Sequence, residues 1–256
     1  MNMLKRFDPR IVIGSLLILG GGLALAQQSG YLKNATQFFW GGVFLLAGLG
    51  FLSLLLSENW WATFPGFTLV AMSAVIMLPP SLEDFGGAVF LGGVALSFWQ
   101  AYLSEMRERW WALIPAGVLS ALAVMIVAAQ YYEDLGAPVF LAGMGLAFFG
   151  VYLSNRAERW WALIPGGVLV TLGGMVIAAQ RAQELQTAGF FFLGLAVTFL
   201  LVALLAGMRW AYIVALVLGI TGGLALASLM NLASYLYAGG LMAAGAFLLY
   251  RYFAKP

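Results

Sequence analysis

Apolar residues run in blocks of about twenty, and nearly every charge falls in the short polar stretches between them. Residues 110–159 show the pattern plainly. An apolar run from Trp110 to Ala129 is followed by the connector Gln130-Tyr131-Tyr132-Glu133-Asp134-Leu135. A second apolar run then extends from Gly136 to Ser154. At 1.5 Å rise per residue, about twenty helical residues cover the roughly 30 Å of a bilayer's hydrocarbon. A helix satisfies its backbone hydrogen bonds internally, and only helices and closed barrels do so in lipid. The pattern therefore predicts two membrane spans joined by a tight connector.

This block recurs every fifty residues. Trp60-Trp61, Trp110-Trp111 and Trp160-Trp161 are one period apart, and Trp210 continues the series. Five residues after each first tryptophan of a pair come Pro65, Pro115 and Pro165, in the first turn or so of the helix, where early N–H groups lack intrahelical partners. Arg109 to Leu119 reads RWWALIPAGVL, and Arg159 to Leu169 reads RWWALIPGGVL. The copies are 10–59, 60–109, 110–159, 160–209 and 210–256. The expected fold is all-α: a polytopic transmembrane bundle of ten helices made of five tandem hairpins, forming one domain. Two spans per copy give every copy the same orientation, unlike the inverted repeats of many transporters. The end copies carry Arg10-Ile11 and Trp210-Ala211 in place of the tryptophan pair, as expected of caps on an open stack rather than members of a closed ring.

Charge orients the bundle. Lys5, Arg6, Arg10, Arg107, Arg109, Arg156, Arg159, Arg209, Arg251 and Lys255 fall on one side, and only Lys33 and Arg181 on the other. By the positive-inside rule both termini are expected in the cytoplasm, with the chain in the cell membrane. Lys5, Arg6 and Arg10 ahead of the run from Ile11 to Ala26 also resemble a signal peptide. The run is long for that role and keeps register with the repeat, so it is read as a retained first helix.

Composition agrees with a lipid solvent: 63% hydrophobic and 9% charged residues, with a mean hydropathy of +0.97. Cysteine and histidine are absent, which removes disulfides and the commonest metal ligand and proton shuttle. A net charge of +2 gives no basis for a nucleic-acid partner. The RWWALIPGG-type helix starts resemble those of multi-pass bacterial membrane proteins with tandem hairpins. More distantly they are similar to the HdeD family, in which a paired tryptophan opens each hairpin and a Gly-rich apolar helix follows. The likeness covers the second to fourth copies. It implies a membrane-embedded hairpin bundle and brings no catalytic residue.

Each candidate site has a plain structural reading beside its functional one. Trp60, Trp61, Trp110, Trp111, Trp160, Trp161 and Trp210 form either a stacking platform or, as favoured here, an interfacial anchor belt beside Arg109 and Arg159. Glu83, Asp84, Glu133 and Asp134 are repeat-matched outer carboxylates, a weak oxygen-ligand cation site or, more simply, solvated loops. Small residues recur at Gly21, Ala71, Ala121, Thr171 and Thr221, and two positions on at Ser73, Ala123, Gly173 and Gly223. Small side chains let helices approach closely in lipid, so these predict an inter-repeat packing seam on the first helix of each hairpin. Gln100, Gln130 and Gln180 are the most polar side chains bordering the spans; Gln130 and Gln180 are repeat-equivalent at the outer helix ends, where capping or headgroup contact explains them. Mid-span polar residues are few and mild: Ser97, Ser120, Thr171 and Thr198.

No nucleophile, acid–base pair or metal set is placed by this pattern, so neither an enzyme nor a resident cofactor is expected. The favoured function is a scaffold or accessory subunit, contacting membrane lipid, a second copy or a partner membrane protein. The rival is a transporter or binding protein holding a lipid, quinone, carotenoid or small neutral solute in an apolar cavity, with Trp40, Phe90, Phe140 and Phe190 along it. An ion channel ranks last, because no ring of charged side chains is present. The topology has a direct test. Glu133→Cys should react with an impermeant thiol reagent added outside intact cells, and Arg156→Cys should not; the reverse pattern would invert the orientation.

Overall fold

Long apolar runs with no competing polar pattern leave the backbone one solution, and among the described residues every regular element is helical. The computed structural model describes residues 9–30, 34–57, 59–132, 134–180, 184–228, 235 and 237–245. Lys5, Arg6, Asp8, Lys33, Glu58, Glu133, Arg181, Arg251 and Lys255 lie outside the described residues, as does part of the last expected span. The helices are α1 (Pro9–Gln28), α2 (Ala35–Ser53), α3 (Thr63–Ile76), α4 (Gly86–Ser104), α5 (Leu113–Tyr131), α6 (Gly136–Ser154), α7 (Leu163–Ala179), α8 (Glu184–Ala206) and α9 (Arg209–Ser228). Residues 237–245 are also helical. Short 3-10 turns precede α3 (Trp60–Ala62), α4 (Pro80–Phe85), α5 (Trp110–Ala112) and α7 (Trp160–Ala162). Among the described residues, seven helical stretches are long and apolar enough to cross a membrane. Two further apolar stretches, Leu17–Gln28 and Trp60–Ile76, are shorter.

The chain divides within α5 into two compact units, Met1–Val127 and Ala128–Pro256. In the first unit α3 packs between α2 and α4. Its contact with α2 is a backbone crossing. A Cβ on Gly48 would stand 2.8 Å from Val70 Cγ2 and 2.9 Å from the Gly66 carbonyl oxygen. Two turns further, Ser73 Oγ donates to the Gly41 carbonyl at 2.7 Å. On the other side of α3, a Cβ on Gly93 of α4 would collide with the Ala71 side chain. Where lipid surrounds a protein, burying apolar surface does not drive helix association, so such close approach supplies the packing and hydrogen bonds that do.

The second unit repeats this geometry with its own residues. A Cβ on Gly145 of α6 would lie 2.6 Å from Val170 Cγ2 and 2.8 Å from the Gly166 carbonyl. A Cβ on Gly173 would lie 3.2 Å from the Pro138 carbonyl oxygen, the place where Ser73 meets that of Gly41. On the far side of α7, Gly194 and Gly167 of the α7·α8 pair meet Thr171 and Thr198. The α8·α9 pair repeats the first crossing: Gly222 stands against Leu193 and, at 3.0 Å, the Gly189 carbonyl.

These contacts correct the expected seam in two ways. The position of Ala71 and Thr171 faces the helix that follows, and that of Ser73 and Gly173 faces the helix that precedes, so the two small positions serve different neighbours. The fifty-residue register also slips. Gly48 pairs with Gly66 as Gly145 pairs with Gly166, so α2 stands three residues closer in sequence to its successor than α6 does. In α9 the seam glycine is Gly222, not Gly223, which faces open space, and Thr221 is exposed. In α1 the buried contact falls on Gly20, packed on Trp40 and Phe39, while Gly21 has nothing within 4 Å. Ala121 is buried, and Ala123 approaches Gly92 of α4 at about van der Waals distance.

Gly173 provides the test. Gly173→Ser copies the Ser73 arrangement onto Pro138 and should leave thermal stability in detergent nearly unchanged. Gly173→Leu overpacks the crossing and should lower stability by about 1–3 kcal/mol. Equal melting temperatures for the two variants would mean that this crossing does not hold the unit together.

Candidate functional site

Each tryptophan pair sits in a 3-10 turn whose last residue is an alanine with no exposed surface: Ala62, Ala112 and Ala162. The turn closes when that alanine's N–H donates to the carbonyl of Asn59 (3.0 Å), Arg109 (3.0 Å) or Arg159 (3.1 Å). The buried alanine turns the second indole outward, and Trp61, Trp111 and Trp161 are 49%, 40% and 38% exposed. Trp60 is exposed as well, while Trp110 and Trp160 are half-buried. Trp61 packs edge-on against Phe51, Trp161 against Phe148 and Trp210 against Phe199. Ala211, after Trp210, is also fully buried and donates to the Met208 carbonyl at 3.0 Å. Trp210 thus takes the place of the second tryptophan of a pair, one register step from where its spacing puts it.

The arginine before each of the last two pairs is tied into the preceding helix end. Arg109 Nη1 donates to Ser104 Oγ at 2.6 Å, and Nη2 pairs with Glu105 Oε2 at 2.9 Å. Its guanidinium carbon lies 4.5 Å from the centre of the Trp60 ring. Arg159, largely buried, donates in the same way to Ser154 Oγ. The YLSEMRER and YLSNRAER connectors are therefore ordered, with the backbone N–H of Arg109 and of Arg159 each donating to the residue four before at 2.9 Å. The cation–π contact and the Ser–Arg clasp were not anticipated from sequence. The recurring S-x4-R spacing is the signal that carries them.

At the opposite helix ends, Glu83 and Asp84 lie in the Pro80–Phe85 turn, and Asp134 lies in the connector before α6. Glu133 is outside the described residues. No group of three or more acidic side chains gathers among the described residues. Gln180 Nε2 donates to the Asp134 carbonyl at 3.1 Å, and Gln130 lies exposed at the end of α5. Gln100 Oε1 is buried in α4 without a hydrogen-bond partner. In the first unit, a polar cavity of about 390 Å³ opens where α3 stops at Pro79-Pro80; Asn34, Gln37 and Glu83 reach it. Gln37 Nε2 donates to the Ile76 carbonyl and, at 3.4 Å, to that of Leu78.

The aromatic series scatters over different surroundings. Trp40 packs on Gly20, and Phe190 lines an open apolar groove of about 310 Å³ with Met175 and Ala178. Similar grooves lie between α4 and α5 and between α8 and α9. Several hydroxyls within the spans are bonded inside the protein. Ser97 and Thr198 donate to the Val94 and Gly194 carbonyls, and Ser120 accepts from Trp99 Nε1 at 3.1 Å.

The chain matches no protein-family profile, no curated protein and no solved structure.

The arginine clasp is testable by a charge-conserving change. Arg109→Lys keeps the charge but cannot hold Ser104, Glu105 and the Trp60 face together. It should lower stability by about 1 kcal/mol, the scale of a half-exposed cation–π contact with a charge-assisted hydrogen bond. Arg156→Lys, in an exposed position, should stay within about 0.5 kcal/mol of the parent in the same thermal assay.

Proposed function

We propose that this chain is a non-enzymatic membrane scaffold or accessory subunit, built as five tandem hairpins with ten spans, acting through its outward helix faces on lipid, a second copy or a partner membrane protein. The observation that carries this reading is how the polar groups within the helices are used. Ser73, Ser97, Thr198 and Thr221 each donate to a backbone carbonyl, and Ser120 is taken by Trp99. Side chains that conduct ions or protons need partners that change, and groups locked onto backbone carbonyls do not offer that. The outer faces carry large apolar side chains and shallow grooves, such as the one of about 520 Å³ formed by Leu193, Val197, Leu200, Tyr212 and Leu216.

The five-hairpin reading draws on the crossings made alike by Ser73, Gly173 and Gly222, and on the buried alanine of every tryptophan turn. Termini in the cytoplasm and residence in the cell membrane follow from the charge distribution.

Native mass spectrometry of gently extracted protein tests the role. A scaffold should appear as an oligomer or as a complex with another membrane protein, carrying phospholipid only. A stoichiometric quinone or carotenoid on a monomer, or solute flux through reconstituted vesicles, would move the reading to transport or ligand storage.

A further inference from the structure

We propose that the polar cavity at the ends of α2, α3 and α4 remote from the tryptophan turns binds a primary ammonium group, supplied by the headgroup of a phosphatidylethanolamine-type lipid. The inference needs the membrane setting but not the scaffold role, and it would hold equally for a transporter.

The cavity arises from the early stop of α3. With its 3-10 turn, that helix covers Trp60–Ile76, whereas its neighbours run over Ala35–Leu56 and Pro80–Ser104. Pro79-Pro80 prevents continuation, because each proline lacks an N–H and the residue before it is pushed from helical geometry. The last carbonyls of a helix have no intrahelical partner and form the negative end of its dipole. Those of Ile76 and Leu78 are held in place by the Gln37 amide nitrogen, so the Gln37 amide oxygen lies on the branch turned away from them.

Two further acceptors reach the same cavity. Glu83 brings a carboxylate from the following turn. Asn34 stands in left-handed backbone geometry (φ 58°, ψ 13°) ahead of α2, and its side chain makes no capping bond to that helix. Asparagine tolerates this conformation better than other non-glycine residues, and it leaves the amide free of the usual capping role. No lysine or arginine lines the cavity among the described residues, and Val75, Leu78 and Pro80 supply apolar walls.

The chemistry selects the ligand. Carbonyl, amide and carboxylate oxygens with no lysine or arginine beside them among the described residues favour a donor-rich positive group, and a primary ammonium has three N–H donors to share among them. A bound Ca²⁺ would call for six to eight oxygens, usually with several carboxylates, and only one carboxylate is present. A phosphate alone would meet a like charge. A span shorter than the bilayer is accommodated by local thinning, which brings headgroups down to its end. That favours a lipid amine over one dissolved in water.

Native mass spectrometry from micelles holding equal phosphatidylethanolamine and phosphatidylglycerol tests this. The parent protein should retain phosphatidylethanolamine preferentially. Glu83→Gln should reduce that preference about tenfold, the scale of one hydrogen bond to a charged group. Its melting temperature should change little, because the Glu83 side chain is exposed. Phosphatidylcholine retained as well as phosphatidylethanolamine would overturn the proposal, since a trimethylated amine has no N–H to donate. Equal retention of the two starting lipids by the parent, or a preference that survives Glu83→Gln, would overturn it too. So would stabilisation by Ca²⁺ alone, lost in Glu83→Gln. Displacement of the lipid by free ethanolamine, which then remains bound, would support the ammonium site and assign its source to solution.

Discussion

Close approach of helix backbones is the constraint on which the rest of this structure depends. In water, apolar faces would drive the helices together; in lipid the acyl chains are as apolar as leucine, and that drive is missing. What remains is contact between surfaces that fit and hydrogen bonds that cross them. Gly48 against Gly66, Gly145 against Gly166 and Gly222 against the Gly189 carbonyl supply the first. Ser73 on the Gly41 carbonyl supplies the second. The largest side chains are thereby left to face outward, which inverts the arrangement of a soluble core.

The two ends of the helices are finished by different means. At one end a buried alanine closes a 3-10 turn, exposes an indole and places an arginine where Ser104 or Ser154 can hold it. An indole with an apolar ring and a polar N–H suits the headgroup level. At the other end glutamine amides cover helix-end carbonyls: Gln37 reaches Ile76, and Gln180 reaches the Asp134 connector. Both solutions meet the same demand, since a backbone group at a helix terminus needs a partner wherever water is scarce.

The early end of α3 sets it apart from α5 and α7, which begin with the same tryptophan turn. Where α5 continues through Ala129 and Gln130, the corresponding stretch carries Pro79 and Pro80. A shorter helix, end carbonyls taken up by the Gln37 amide, a left-handed Asn34 and a nearby carboxylate all follow from that break or sit beside it. Several hydroxyls elsewhere in the helices bond to backbone carbonyls, whereas this cavity brings an amide, a carboxylate and helix-end carbonyls together.

Residue spacing carried much of this legibly. Helical spans, the place of the tryptophan turns, and small residues at Ala71, Ser73, Thr171 and Gly173 follow from period and size alone, because lipid admits few backbone solutions. The Asn34–Gln37–Glu83 cavity was not legible: its members lie almost fifty residues apart, and only the packing of α2 on α3 unites them. Register in the end copies was misjudged for a related reason. Gly20 replaces Gly21, and Gly222 replaces Gly223, because connectors of different length shift a helix by a residue or more without altering its apolar pattern. By itself the sequence determined the helices, their apolar length and which residues are small enough to touch. Tertiary structure decided which of them do, because one residue's shift turns a helix face by about 100°, and an apolar face looks the same to lipid at any angle.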